Sequence, residues 1–239
     1  MDPTDARALR KAIVDGRLLA RVSEASVFVE CLSFEDKLAY LAVVLTNNPR
    51  PSPDPKRVAV FSDLASIGIK MLHAPIVGAE KFIDVMEWAP DDLLPANERN
   101  ERFGAFCRPY PRHQPLVTYG NNLLLGQPPV PAGKVTRTGP NSHSRELPQG
   151  WAIALKRAWD NAAASDRKQV RKVVGPIIGE WCDVLILGSH LAYGNDVFCT
   201  ADRGESAGSN SLLFHGNRVN LASQGIIIKS PTEVLAMIS

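Results

Sequence analysis

Apolar residues between positions 4 and 15 recur at helical spacing, with Leu9 and Ile13 on one face and Gly16 placed to close the helix. Leu18 to Val22 predicts a short strand, Ser23 an N-cap for a second helix carrying Val27, Glu30 and Cys31, and Phe34 to Leu45 a third helix. The first 46 residues therefore read α, β, α, α, with no strand before the first helix. From Asn47 to Gly150, proline clusters at 49–55, 109–115 and 128–131 and the Gly-Asn-Asn run at 120–122 break the periodicity. Within that stretch Arg57 to Phe61 predicts a strand, Ile67 to Leu72 a helix end or a strand, and Gly78 to Trp88 a helix. Residues 89–149 predict loop with short elements. A stretch of that length belongs to a binding or covering insertion, or to an oligomerisation arm that would admit a homodimer.

Periodicity returns at Trp151. One long helix is predicted to Val174, displaying Lys156, Arg157, Arg167, Lys168, Arg171 and Lys172, and another from Pro176 to Tyr193, closed by Gly194. A strand from Asp196 to Thr200, a helix within Ser209 to Ser223, a strand from Gly225 to Lys229 and a helix opened by Ser230-Pro231 follow. Strands alternating with helices predict an α/β protein with a parallel sheet. In such sheets ligand chemistry gathers just beyond the C-terminal ends of the strands, where Asp202 falls. Asp183 lies eleven residues before Gly194, roughly 16 Å back along its helix at about 1.5 Å per residue. The following strand returns the chain by roughly 20 Å at about 3.3 Å per residue. Asp183 and Asp202 are thus expected at one sheet edge, where two carboxylates repel unless one is protonated or a cation lies between them.

Composition narrows the classes. With 239 residues, 45% of them hydrophobic, the chain can bury a real core. A net charge of +2 permits a nucleic-acid partner without demanding one. Cys31, Cys107, Cys182 and Cys199 have no CxxC spacing and read as thiols of a reducing cytoplasm. The N-terminus has no signal pattern, and the apolar stretch at 173–194 is interrupted by Pro176, Glu180 and Asp183, so a cytoplasmic protein with no membrane partner is expected. His73, His113, His190 and His215 lack HExxH spacing; the glycines form no phosphate loop, and Ser189 and Ser223 lack a GxSxG context.

Asp183-Val-Leu-Ile-Leu-Gly-Ser-His-Leu-Ala, then Gly-Asn-Asp-Val-Phe-Cys-Thr200-Ala-Asp202, a spacer and Gly-Ile-Ile-Ile-Lys-Ser-Pro-Thr-Glu-Val-Leu resemble the closing half of a PIN domain. Leu-Leu-Ala-Arg-Val-Ser-Glu-Ala-Ser-Val-Phe-Val-Glu30-Cys-Leu resembles that family's strand, serine and helix ending in an acidic ligand. The resemblance covers residues 4–46 and 176–239 and leaves 47–175 as an insertion with a short strand, loops and a long basic helix. It implies a Rossmann-like three-layer α/β/α fold with a central parallel sheet. The implied activity is divalent-metal-dependent endonucleolytic cleavage of single-stranded RNA, by a toxin of a toxin-antitoxin pair or an RNA-processing nuclease. An antitoxin or another protein partner is implied with it.

Carried over position by position, Glu30, Asp183 and Asp202 fall on acids that hold Mg²⁺ or Mn²⁺, and Thr200 on the nearby hydroxyl position. Oxygen-only ligands suit those hard ions, and a bound ion supplies both an activated water and charge neutralisation for phosphodiester hydrolysis. Glu24 is a competing acid for Glu30. Glu205 stands beside Gly204, where the family often places a further acid. The family's first strand and first aspartate have no counterpart: an internal start, which is the preferred explanation, a degenerate site, or a second chain completing the sheet would each account for this. The alternative function is a catalytically inactive PIN-like module that binds RNA or protein.

Overall fold

The computed structural model describes residues 2–43, 52–74, 83–90, 94–110, 113–125, 150–205, 208 and 211–239. Helix α1 (Pro3–Val14) starts where Asp2 accepts a hydrogen bond from Thr4 N at 2.6 Å and ends before Gly16, which takes φ +72°. Strand β1 (Arg21–Ser23) begins later than predicted and runs straight into α2 (Glu24–Cys31), because the Ser23 hydroxyl accepts from Ala25 N at 3.3 Å. Helix α3 is Phe34–Val43; its predicted end at Leu45 lies outside the described residues.

The predicted strand at 57–61 is instead part of α4 (Pro55–Ser66). Asp54 caps Lys56 N at 2.9 Å and Pro55 fills the first turn, which starts a helix before a brief Val58/Val60 alternation can act. Val58, Phe61, Leu64 and Ala65 then lie on one inward face. Strand β2 (Lys70–Leu72) settles the ambiguous segment after it. Of the helix predicted at 78–88, residues 75–82 lie outside the described set and the rest is not helical. After a turn at Asp84 and Val85, Met71 N donates to Glu87 O and Ala89 N to Met71 O, both at 2.8 Å, so Trp88 bridges β2 in parallel. Two helices, α5 (Ala96–Cys107) and α6 (Gln114–Leu124), occupy part of the predicted loop region, their apolar sides set by Phe103 and Phe106 and by Leu116 and Val117. Residues 126–149 lie outside the described set.

The predicted helix break at Pro176 is also misplaced. Helix α7 (Gly150–Asn161) is followed almost at once by α8 (Ala164–Ala192), which runs through Pro176. Arg167 explains the break: its Nε donates to Trp159 O at 3.1 Å and Ala162 O at 3.2 Å, satisfying carbonyls at the end of α7, while its guanidinium lies over the Trp159 ring. Proline costs α8 one backbone hydrogen bond. Burial of Val174, Ile177, Ile178, Leu185 and Leu187 offsets that, at ~1.5–3 kcal/mol per side chain. Strand β3 (Phe198–Cys199), a single 3₁₀ turn at His215–Asn217, α9 (Arg218–Ser223), β4 (Ile228–Lys229) and α10 (Pro231–Met237) complete the chain, the last opened by a Ser230/Glu233 capping box.

The fold is mixed α/β and mostly helical, with short strands in two small sheets. β1 pairs with β2 in parallel, Arg21 opposite Lys70 and Ser23 opposite Leu72; β3 pairs with β4 in parallel, Phe198 opposite Ile228. The chain divides into two compact units. The first comprises Met1–Cys31, Pro53–Tyr110 and Cys182–Ser239 and contains both sheets. One of its apolar clusters joins Val27, Phe61, Met71 and Met86; another joins Phe106, Val184, Leu187, Leu221 and Ile226. The second unit comprises Leu32–Ser52 and Pro111–Trp181, with α6 and α3 packed on α7 and Phe34 edge-on to Trp159 at 5.0 Å. Among the described residues no helix is long and apolar enough to cross a membrane.

Candidate functional site at the strand ends

Both parallel pairs lie in the first unit, and each ends in polar side chains. At the end of β1 stand Ser23 and Glu24; at the end of β2 stands His73. Glu24 is completely buried. Its Oε2 accepts from Ala74 N at 3.3 Å and lies 3.3 Å from His73 Nδ1, while Oε1 is buried with no hydrogen-bond partner among the described residues. Helix α8 closes over this corner. Ser23 Oγ donates to Ser189 Oγ at 3.2 Å; the Ser189 hydroxyl donates to Leu185 O at 2.8 Å and stands 3.3 Å from His73 O. One turn on, the Tyr193 hydroxyl accepts from His73 N at 3.2 Å. The His73 ring sits edge-on to Trp88, 5.1 Å between centroids, and its side chain keeps 33% exposure.

The end of β3 is built differently. Asp202 N donates to Thr200 Oγ1 at 3.0 Å, and Asp202 Oδ1 accepts from Gly204 N at 2.8 Å. These are two successive side-chain turns, made possible by Gly204 at φ +65°. Asp202 is exposed, and its Oδ2 carries no hydrogen bond among the described residues. Beside it, at the ends of β3 and β4, a cavity of about 600 Å³ is lined by Thr200, Arg203, Glu205, His215 and Arg218 and by Asp2, Asp5 and Glu233. Three of its acids are already engaged. Asp2 caps α1, Asp5 accepts from the Thr232 hydroxyl at 2.6 Å, and Glu233 accepts from Ser230 N at 2.7 Å. Those backbone bonds hold the Asp2 and Glu233 carboxyls below their usual range.

Thr200 and Asp202 are thus brought together. Glu30 is exposed at the end of α2, its Oε2 3.6 Å from Arg57, and Asp183 is half-buried on α8. Among the described residues no three His, Cys, Asp or Glu side chains gather closely enough to hold a metal ion, so Glu30, Asp183 and Asp202 do not fit a three-carboxylate centre in this arrangement. The sequence pattern passed over the Glu24–His73 pair. Its one available signal was position: each residue directly follows a strand.

The remaining titratable groups have structural surroundings. Burial pushes His190 down to about 4, against a smaller opposing pull from Asp196, so the ring is neutral at pH 7; it lies edge-on to Phe198. Burial pushes the Cys31 thiol up to about 11 and Cys107 up to about 12, and all four cysteines are free. On the basic helices, Lys156 is paired with Asp160 at 2.5 Å and Arg171 lies over Phe34, whereas Arg157, Lys168 and Lys172 are exposed. Compared with known proteins, the chain matches no family model, no curated protein and no solved structure.

Proposed function

We propose that the chain is a PIN-like α/β protein, its two strand pairs parts of a Rossmann-like three-layer arrangement, and that it acts as a divalent-metal-dependent endoribonuclease on single-stranded RNA. One observation carries this reading: Thr200 and Asp202 stand just past the C-terminal end of a parallel strand, the edge where α/β sheets place ligand chemistry. Supporting it, Arg203 and Arg218 line the adjoining cavity, where their cations would meet backbone phosphates. Asp202 is exposed to solvent, available to a ligand.

The test is cleavage of a labelled single-stranded RNA with Mg²⁺ or Mn²⁺ by the wild-type chain, by Asp183→Asn and by Asp202→Asn. The expected result is metal-dependent cleavage reduced at least ~100-fold in Asp202→Asn, the scale on which loss of a charge-stabilising group acts. Undiminished cleavage by both variants overturns the site.

A second reading, a catalytically silent PIN-like module that binds RNA or a protein partner, draws on the dispersed positions of Glu30, Asp183 and Asp202. It predicts RNA retention without cleavage in the same experiment.

A further inference from the structure

The cavity at the ends of β3 and β4 mixes two chemistries in one lining. Four acids contribute to it. Asp2 accepts from Thr4 N, Asp5 from the Thr232 hydroxyl, and Glu233 from Ser230 N with Lys229 Nζ 3.5 Å away, while Glu205 is exposed. Arg203 and Arg218 share the same walls, yet neither forms an ion pair among the described residues. Cations placed only to neutralise these acids would sit on them. Arg203 is exposed; Arg218 is half-buried, its Nη2 3.5 Å from Asp202 O. The hydroxyl oxygens of Thr200 and Ser230 accept from Asp202 N and Glu233 N, which leaves their hydrogens free to donate.

Two guanidinium forks beside hydroxyl donors suit a phosphate group. A bare phosphate is a poor occupant all the same: the acids would repel it, and about 600 Å³ is room for a drug-sized ligand. The carboxylates have lone pairs left for hydroxyl donors. The exposed imidazole of His215, set against Phe214 with 4.1 Å between ring centroids, offers a flat face of the kind on which bases stack. An anionic group, hydroxyl donors and a flat ring occur together in a nucleotide.

We propose that this cavity binds a ribonucleotide 5′-monophosphate, with its phosphate on Arg203 and Arg218, its sugar hydroxyls toward the acids and its base against His215. The same chemistry comes from a free nucleotide or from the 5′-phosphorylated end of an RNA. Binding of the RNA end rests on the RNA reading above; binding of the free nucleotide does not, and neither needs metal or cleavage.

The test uses the full chain in EDTA, titrated by calorimetry with AMP, adenosine and inorganic phosphate. One AMP per chain is expected, with adenosine and inorganic phosphate each binding at least ~10-fold more weakly. Arg203→Gln, at an exposed position, should keep the wild-type circular dichroism and weaken AMP ~10–100-fold, the scale of a lost hydrogen bond to a charged group. Arg203→Lys keeps the charge without the fork and should fall between the two. In a second arm, an RNA oligonucleotide carrying a 5′-phosphate is compared with its 5′-hydroxyl twin: tighter binding of the first names the RNA end as the source, and AMP binding with no such preference names the free nucleotide. No AMP binding at millimolar nucleotide, inorganic phosphate binding as tightly as AMP, or AMP affinity untouched by Arg203→Gln overturns the proposal. Cleavage of RNA without AMP binding removes this site alone, and AMP binding without cleavage removes the nuclease alone.

Discussion

The two strand ends of the first unit solve the same problem in opposite ways. At β3 the polar groups face water and satisfy one another locally: Thr200 takes the Asp202 amide, and Asp202 takes the Gly204 amide. At β1–β2 the polar groups are buried under α8, reach across the sequence to Ser189 and Tyr193, and still leave Glu24 Oε1 and His73 Nδ1 without a hydrogen bond among the described residues. An exposed carboxylate in a tight turn is held by its neighbours in the chain and has little free energy at stake. A buried one, dependent on distant partners, has much more, because every missing partner is felt in a low-dielectric setting.

The contrast can be broken most forcefully at the turn itself. A Cβ on Gly204 would stand 2.5 Å from Phe214 N and 2.8 Å from Ser211 Oγ, on a backbone at φ +65°. Gly204→Ala should therefore cost about 3–4 kcal/mol in urea unfolding, through overpacking added to left-handed strain. A loss below about 1 kcal/mol would mean the turn relaxes freely and is not fixed by its glycine.

Next comes acid. His190 follows Ser189 on α8, is 4% exposed and is pushed down to about 4. Below the unfolded value of 6.5 the unfolded chain takes up a proton that the folded chain refuses. Stability should thus fall as pH drops from 6.5 towards 4 and level off below that, a loss of about 3 kcal/mol in all. His190→Leu should flatten this part of the pH–stability curve; an unchanged slope would assign the acid sensitivity to other groups.

The smallest effect belongs to the exposed acid. Asp202→Ala removes one local hydrogen bond at a water-facing turn and should shift stability by about 1 kcal/mol or less. A loss of several kcal/mol would show Asp202 to be a structural keystone, and would erase the difference between the two ends.

What could be read from the chain follows the range over which each element is decided. Gly16 and Ser230-Pro231 set helix ends through contacts within a few residues, and these ends were legible. So was Asp202 as a residue past a strand. The segment at 57–61 misled because its valines alternate, while the Asp54-Pro55 start signal lay just outside the apparent strand. The course of Glu87, Trp88 and Ala89 was beyond local reading, since it is set by their pairing with Met71. Glu24 was visible only as a competitor to Glu30; its burial depends on Ala74, His73 and α8, none of them near it in sequence. His73 went unplaced because the segment before it read equally as helix or strand.

The first compact unit is assembled from three separated stretches, and its first and last helices meet: Asp5 accepts from Thr232, and Arg17 donates to Ile238 O at 3.2 Å. During synthesis β1 can find β2 early, yet Ser23 must wait for Ser189, and β3 for β4. Val27 can meet Phe61 and Met71 early, but the Glu24 corner stays uncovered by α8 until the ribosome has made the chain as far as Ser189 and Tyr193. At ~5–20 residues per second that is an exposure of many seconds, a period in which nascent-chain chaperones, rather than the native contacts themselves, guard this part of the molecule.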